Sequence, residues 1–461
     1  MLTDSMLADI VPYLKQNLFA RGMSMAHAAD GPIIVTVVDK RTSAGALVAD
    51  GLASLATWYQ FGFLGLVAGF VGRALLPTFD DTIATLVILA IFALGFFTRP
   101  IGGALSQKFA AQHGGKFAQA AAILLMSVSS VLIGLLPDFT SGGYAGIVML
   151  VALRLTQGIA AGAEMTGPVG RMAAMAPNGQ RGLLACWPMV LNLSGYTLSA
   201  GVALFLVTEY GEAAVYDGSW RLGFFVAFPL AILIGLLRFG VDQSLVLTEV
   251  AVRRPAVPVA PAAEIAHWRP VLLTLGGVLV YNATTGAFQV GVPWLVPLGA
   301  DWSLADNLRL ALLFGIGPLT FPLFGLLVDR WGASRLLGFG AVAVALAAYP
   351  VFSALAAGRP PLTVIIAGIV LMGVLGGAIQ AFLAERLPDR SPRVQLTYAM
   401  SAAIFGGTSP MIICAIAALT ADPAAGSSYL VAAGAVSCLC ILVIGTVSGS
   451  TLPKPATEKM K

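Results

Sequence analysis

The stretch VDQSLVLTEVAVRRPAVPVAPAAEIAHWR, residues 241–269, divides this chain into two comparable parts. Pro255, Pro258 and Pro261, set among alanines and valines, keep it extended and solvated, as a linker should be. On each side of it lie six apolar segments of membrane-spanning length. They run over 51–73, 82–106, 116–136, 144–169, 182–207 and 219–240, then 270–298, 305–327, 336–356, 362–384, 395–420 and 427–449. The expected fold is therefore an all-α membrane protein with twelve transmembrane helices in two six-helix bundles. Residues 1–50 read as a cytoplasmic N-terminal extension, 51–240 as the first bundle, 241–269 as the cytoplasmic linker, 270–449 as the second bundle and 450–461 as a cytoplasmic tail. The first fifty residues carry mixed charges and one short apolar run, Ile33 to Val38, without the pattern of a secretory signal.

The linker's arginines also orient the chain. Of the 26 Lys and Arg residues, twenty fall in every second connection or at the two ends. The other connections hold only Arg73, Arg221, Arg309 and Arg359. By the positive-inside rule the number of spans is even and both termini are cytoplasmic. The two remaining arginines, Arg99 and Arg154, lie inside apolar segments, where a charge is costly and marks function.

Composition points the same way. With 58% hydrophobic and 10% charged residues, the 461-residue chain is far from the roughly 25% charged residues of soluble domains. Its 52 glycines suit close helix approach in a bilayer. The net charge of +4 is spread over loops on one side, so nucleic acid is not an expected partner. Cys186, Cys414, Cys438 and Cys440 all lie in apolar stretches without metal-site spacing, so no metal or other cofactor is expected. No nucleophile–base pair, phosphate loop or His/Asp/Glu cluster suggests an enzyme.

After the eighth apolar segment stands Gly325-Leu-Leu-Val-Asp329-Arg330-Trp-Gly332, echoed after the second by the stretch from Gly102 to Lys116. Glycine permits a tight turn between helices, Asp can cap or pair across it, and Arg anchors at the interface. Gly325, Asp329, Arg330 and Gly332 resemble the cytoplasmic loop motif of the major facilitator superfamily. Further motifs are similar to its metabolite:proton symporter branch, which imports proline/betaine, 2-oxoglutarate, citrate and shikimate. These are Trp58-Tyr59-Gln60-Phe61-Gly62, Phe97-Thr98-Arg99-Pro100, Arg154-Leu155-Thr156-Gln157-Gly158, Gly162-Ala163-Glu164, Arg181-Gly182, Trp220-Arg221 and Phe405-Gly406-Gly407-Thr408-Ser409-Pro410. The chain also departs from that branch. Thr57 and Gln60 stand where acids flank the Trp-Tyr pair, Ala111-Gln112 replaces Asp-Arg, Gly115 replaces a basic residue, and Ala174 replaces a glutamate.

Several residues could carry transport chemistry. Arg154 lies about 15 Å into the fourth segment, near the bilayer midplane, where a bidentate guanidinium could recognise a carboxylate or brace helices through carbonyls. Arg99 and Glu164 have similar depth toward the cytoplasm and could pair, as a gate or as a strut. Glu164 is the leading proton carrier, and Asp329 and Arg330 are the further gating residues. Tyr59, Gln60, Asn192, Tyr281, Asn282 and Gln289 are expected to line a substrate cavity with Arg154. Asn282 and Gln289, two helical turns apart, share a face. The reading is a monomeric secondary active transporter of the inner membrane, moving a small polar organic acid or zwitterion by alternating access with the proton as coupling ion. An exporter of a carboxylate-rich metabolite such as a siderophore, an uncoupled facilitator and a non-transporting sensor are the alternatives.

Overall fold

The computed structural model describes residues 40–164, 183, 186–240, 268–295, 303–358, 362–386 and 392–449. The described residues form helices and short turns with no strand. Ten helices are long and apolar enough to cross a bilayer, and two bent helix pairs complete twelve crossings. We number them in order. Helix α1 comprises Lys40–Leu66 and, after a bend of 59°, Ala68–Leu75. It is followed by α2 (Asp81–His113), α3 (Phe117–Gly134), α4 (Ala145–Glu164) and α5 (Met189–Tyr210). Helix α6 comprises Glu212–Ser219 and, after a bend of 58°, Arg221–Leu236. The second bundle holds α7 (Val271–Leu295), α8 (Leu304–Trp331), α9 (Ala333–Ala356), α10 (Leu362–Leu383), α11 (Leu396–Thr420) and α12 (Pro423–Ile444). The helical stretch begins at Lys40, ahead of the expected start at residue 51, and α6 begins at Glu212 rather than at 219. The expected linker lies outside the described residues except for Trp268 and Arg269, as does the tail from residue 450 and the connection 165–182.

The repeat read from the two loop motifs is visible in the backbone. Gly114, between α2 and α3, has φ 92° and ψ 151°, and Gly332, between α8 and α9, has φ 85° and ψ 146°. Both turns use the positive-φ conformation that a glycine adopts at little cost. The first bundle thus makes the same turn with Ala111-Gln112 where the second has Asp329-Arg330. Large apolar side chains point outward along the helices, with Leu419 87% exposed, as suits a surface solvated by lipid rather than water.

Within the first bundle α2 and α4 cross at very short range. A Cβ at Gly158 would lie 1.9 Å from the carbonyl oxygen of Gly95, and one at Gly162 would lie 1.9 Å from that of Arg99. Only glycine fits there, and the contact is the small-residue packing that replaces the hydrophobic effect in a bilayer. Thr98 Oγ1 donates to the Leu155 carbonyl at 2.9 Å across the same seam. This crossing sets the depth and direction of Arg99 and Arg154, one on each helix. The bundles meet through α5 against α8 and α2 against α11.

Candidate functional site

Between the bundles lies a cavity of about 50 Å³. From the first bundle it is lined by Trp58, Phe92, Phe96, Arg99, Leu193 and Tyr196, and from the second by Tyr281, Asn282, Thr285, Gln289, Tyr398 and Gly406, among others. It has room for a few waters and nothing larger, so a solute enters only if the bundles separate. Hydrogen bonds bridge the bundles at both ends. Trp294 Nε1 of α7 donates to the Gly65 carbonyl of α1 at 2.7 Å, beside the α1 bend. At the opposite end the Leu183 amide donates to Asp329 Oδ2 at 3.3 Å. Thr197 Oγ1 of α5 donates to the Gly315 carbonyl of α8 at 2.8 Å.

Arg99 is the arginine of this cavity. It is 2% exposed, and its guanidinium carbon sits 4.7 Å from the Trp58 ring centroid and 5.4 Å from that of Phe96. Cation–π contact shields the charge at a site where no bulk water does. Glu164 lies within electrostatic range of it and accepts a short hydrogen bond from the Ser54 hydroxyl of α1. Among the described residues Arg99, Arg154 and Glu164 are the buried charged side chains.

Arg154, by contrast, is turned away from the cavity. Nη1 donates to the Phe61 carbonyl and to Gln157 Oε1, each at 2.9 Å, while Nε and Nη2 donate to the Phe92 carbonyl at 3.2 Å. Phe61 covers one face, with its ring centroid 3.7 Å from the guanidinium carbon. The network continues outward: Gln157 Nε2 donates to Ser130 Oγ at 2.9 Å, and Ser130 Oγ donates to Gln60 Oε1 at 3.1 Å. One arginine therefore ties α4 to α1, α2 and, through Gln157, α3.

The other expected cavity residues divide. Tyr281, Asn282 and Gln289 of α7 line the cavity, even though a turn of π-helix at Ala287–Gly291 interrupts the regular periodicity. Asn282 Nδ2 donates to Ser401 Oγ of α11 at 3.0 Å. Gln289 is 3% exposed, and neither its Oε1 nor its Nε2 has a hydrogen-bond partner, an expensive arrangement unless something else binds there. Tyr59 faces α6, donating to the Gly223 carbonyl at 2.6 Å, and Gln60 faces α3. Asn192 is buried outside the cavity lining, where its neighbour Leu193 stands. Arg330 is exposed at the end of α8. Sequence reading missed Tyr398 and Phe96. A tyrosine near one end of an apolar segment looks like an interface anchor, and only the rotation of α11 shows otherwise.

Comparisons with known proteins agree with this architecture. The proline/betaine transporter of Escherichia coli (strain K12) is 28% identical over 441 residues, covering 93% of this chain and 87% of that protein. The glycine betaine/proline/ectoine/pipecolic acid transporter OusA of Dickeya dadantii (strain 3937) is 29% identical over 442 residues, covering 93% and 86%. Among solved structures, the D-xylose-proton symporter superposes with a TM-score of 0.67 at 18% identity, covering 87% of this chain and 96% of that one. The partially occluded inward open xylose transporter XylE from E. coli also gives 0.67, at 16% identity. The Major Facilitator Superfamily model matches residues 47–410, most of both bundles, and the chain belongs to that superfamily of membrane transporters.

Proposed function

We propose that this secondary transporter carries a small zwitterion across the inner membrane, with both termini in the cytoplasm, and that it works as a monomer coupled to protons. In this reading the solute's carboxylate meets Arg99, for which a planar, permanently charged donor is well shaped. Its ammonium end meets the aromatic rings of Tyr196, Tyr281 and Tyr398, which share the cavity. The observation that carries the reading is Gln289, buried in the same cavity with both amide atoms unbonded. A donor and an acceptor are held ready for a polar solute. The solutes for which the relatives are named, proline and betaines among them, have this chemistry. Glu164, in range of Arg99 and bonded to α1 through Ser54, is the proposed proton site. Proton binding there would change how the cavity arginine is held. The test is uptake of radiolabelled proline, glycine betaine and a dicarboxylate panel by the protein in liposomes, with and without a proton gradient. Concentrative uptake of a zwitterion, abolished by a protonophore, is expected. Uptake of dicarboxylates alone refutes the zwitterion reading, and equal uptake in both conditions refutes proton coupling.

A further inference from the structure

A second pocket, about 200 Å³ and so about four times the central one, opens at the outer end of the bundle interface. Its wall carries Asp81, Glu212 and Tyr216 from the first bundle, and Trp294 and Asn307 from the second. Both carboxylates lie within electrostatic reach of the Tyr216 ring, and neither carries a salt bridge among the described residues. Asn307 is 1% exposed, and its Oδ1 has no hydrogen-bond partner. A buried amide oxygen left unbonded in the wall of a pocket is a costly feature without an occupant. Arg73 stacks on Tyr216 at 4.9 Å and shares an adjoining pocket with Glu212, Tyr216 and Asp217, so one cation stands among three carboxylates and the balance is negative, which suits a cation. No group of three or more His, Cys, Asp or Glu among the described residues could hold a metal ion, whereas the two aromatic faces favour a soft organic cation.

We infer that this outer pocket is a vestibular site for the ammonium group of an approaching solute, occupied before the Trp294–Gly65 bond opens the way to the central cavity. The site's identity as a waiting station rests on the zwitterion reading above; its affinity for an ammonium does not. The test uses radiolabelled pyrrolidine, which is protonated at neutral pH and carries two N–H donors and no carboxylate, and the full-length protein in lipid nanodiscs. Saturable binding of one cation per chain is expected, weakened at least tenfold by Asp81→Asn or by Glu212→Gln and retained in Tyr398→Leu, which removes an aromatic face of the central cavity only. No saturable binding to folded protein overturns the inference, as does binding that survives the double change D81N/E212Q. Binding lost in Tyr398→Leu also overturns it, since the cation then occupies the central cavity. Should the acid variants fail to fold, Tyr216→Leu removes the ring and keeps both carboxylates. A tenfold loss supports the site, and no loss refutes it. Glycine betaine uptake, measured in parallel, separates the two readings. Uptake lost with cation binding intact refutes the transported solute alone, and uptake intact without cation binding refutes the vestibular site alone.

Discussion

Replacing Arg154 by glutamine tests whether the deepest charge of the first bundle supports the helices or meets the solute. Its guanidinium serves three acceptors, the carbonyls of Phe61 and Phe92 and the amide oxygen of Gln157. Hydrogen bonds from a charged donor are worth roughly 1.5–3 kcal/mol each, and removing one partner of a buried charged arrangement costs about 3–5 kcal/mol overall. Because the three acceptors lie on α1, α2 and α4, they are not independent, and the lower total is the better expectation. Arg154→Gln should therefore lose about 3–5 kcal/mol. Arg154→Lys, which keeps the charge but satisfies fewer acceptors at once, should lose roughly half of that. The assay is unfolding in mixed micelles, followed by intrinsic fluorescence in variants shown to insert normally. Glycine betaine affinity is measured on the fraction that remains folded, where it should stay within about threefold of the parent. A variant as stable as the parent but with affinity lost would refute the reasoning, because Arg154 would then act on the solute.

Arg99→Gln should have the opposite signature: near-parental stability relative to the Arg154 change, with solute affinity down at least tenfold in a direct binding titration. Glu164→Gln should abolish accumulation in liposomes while counterflow persists if Glu164 carries the proton; loss of both, with partial recovery of exchange in the double change Arg99→Gln and Glu164→Gln, assigns it to positioning Arg99 instead. Gly158→Ala places a methyl where the Gly95 carbonyl stands, 1.9 Å away, so α2 and α4 must part at a cost of about 1–3 kcal/mol, read in the same unfolding assay. Reporters fused near Pro258 and after Lys454 should be cytoplasmic and one near Glu212 external. An external signal at Pro258 would invert the charge-based orientation.

The architecture was largely legible because bilayer physics constrains sequence strongly. A span needs about twenty apolar residues, so segments such as 336–356 and 362–384 fall close to the helices found. The bend at Val67 was not legible, because nothing there interrupts the hydropathy, whereas the bend at Trp220 follows the polar run Asp217-Gly218-Ser219, where Gly218 takes φ 125°. The two bent parts meet where Phe70 packs against Tyr216 at 4.8 Å. Depth could be counted along a segment but direction could not. Trp58, Tyr59 and Gln60 are equally deep, yet successive side chains on a helix point about 100° apart. The rotation of α1 against α5 turns Trp58 to the cavity, Tyr59 to α6 and Gln60 to α3. The same holds for the two arginines, whose roles depend on which way α2 and α4 face at their glycine crossing. On α7 the polar residues Tyr281, Asn282, Thr284, Thr285 and Gln289 stand within nine positions, and all but Thr284 line the cavity.

Among the described residues every buried charge sits in the first bundle, and this has an electrical consequence. Arg99, Arg154 and Glu164 leave the first bundle with one net positive charge inside the membrane, and the second bundle has none among the described residues. A charge crossing the whole membrane gains about 2.3 kcal/mol per 100 mV. Rocking moves this charge through only part of that field, so voltage acts on the empty carrier with less than about 2.3 kcal/mol per 100 mV. Any larger voltage dependence of transport has to come from an ion travelling with the solute.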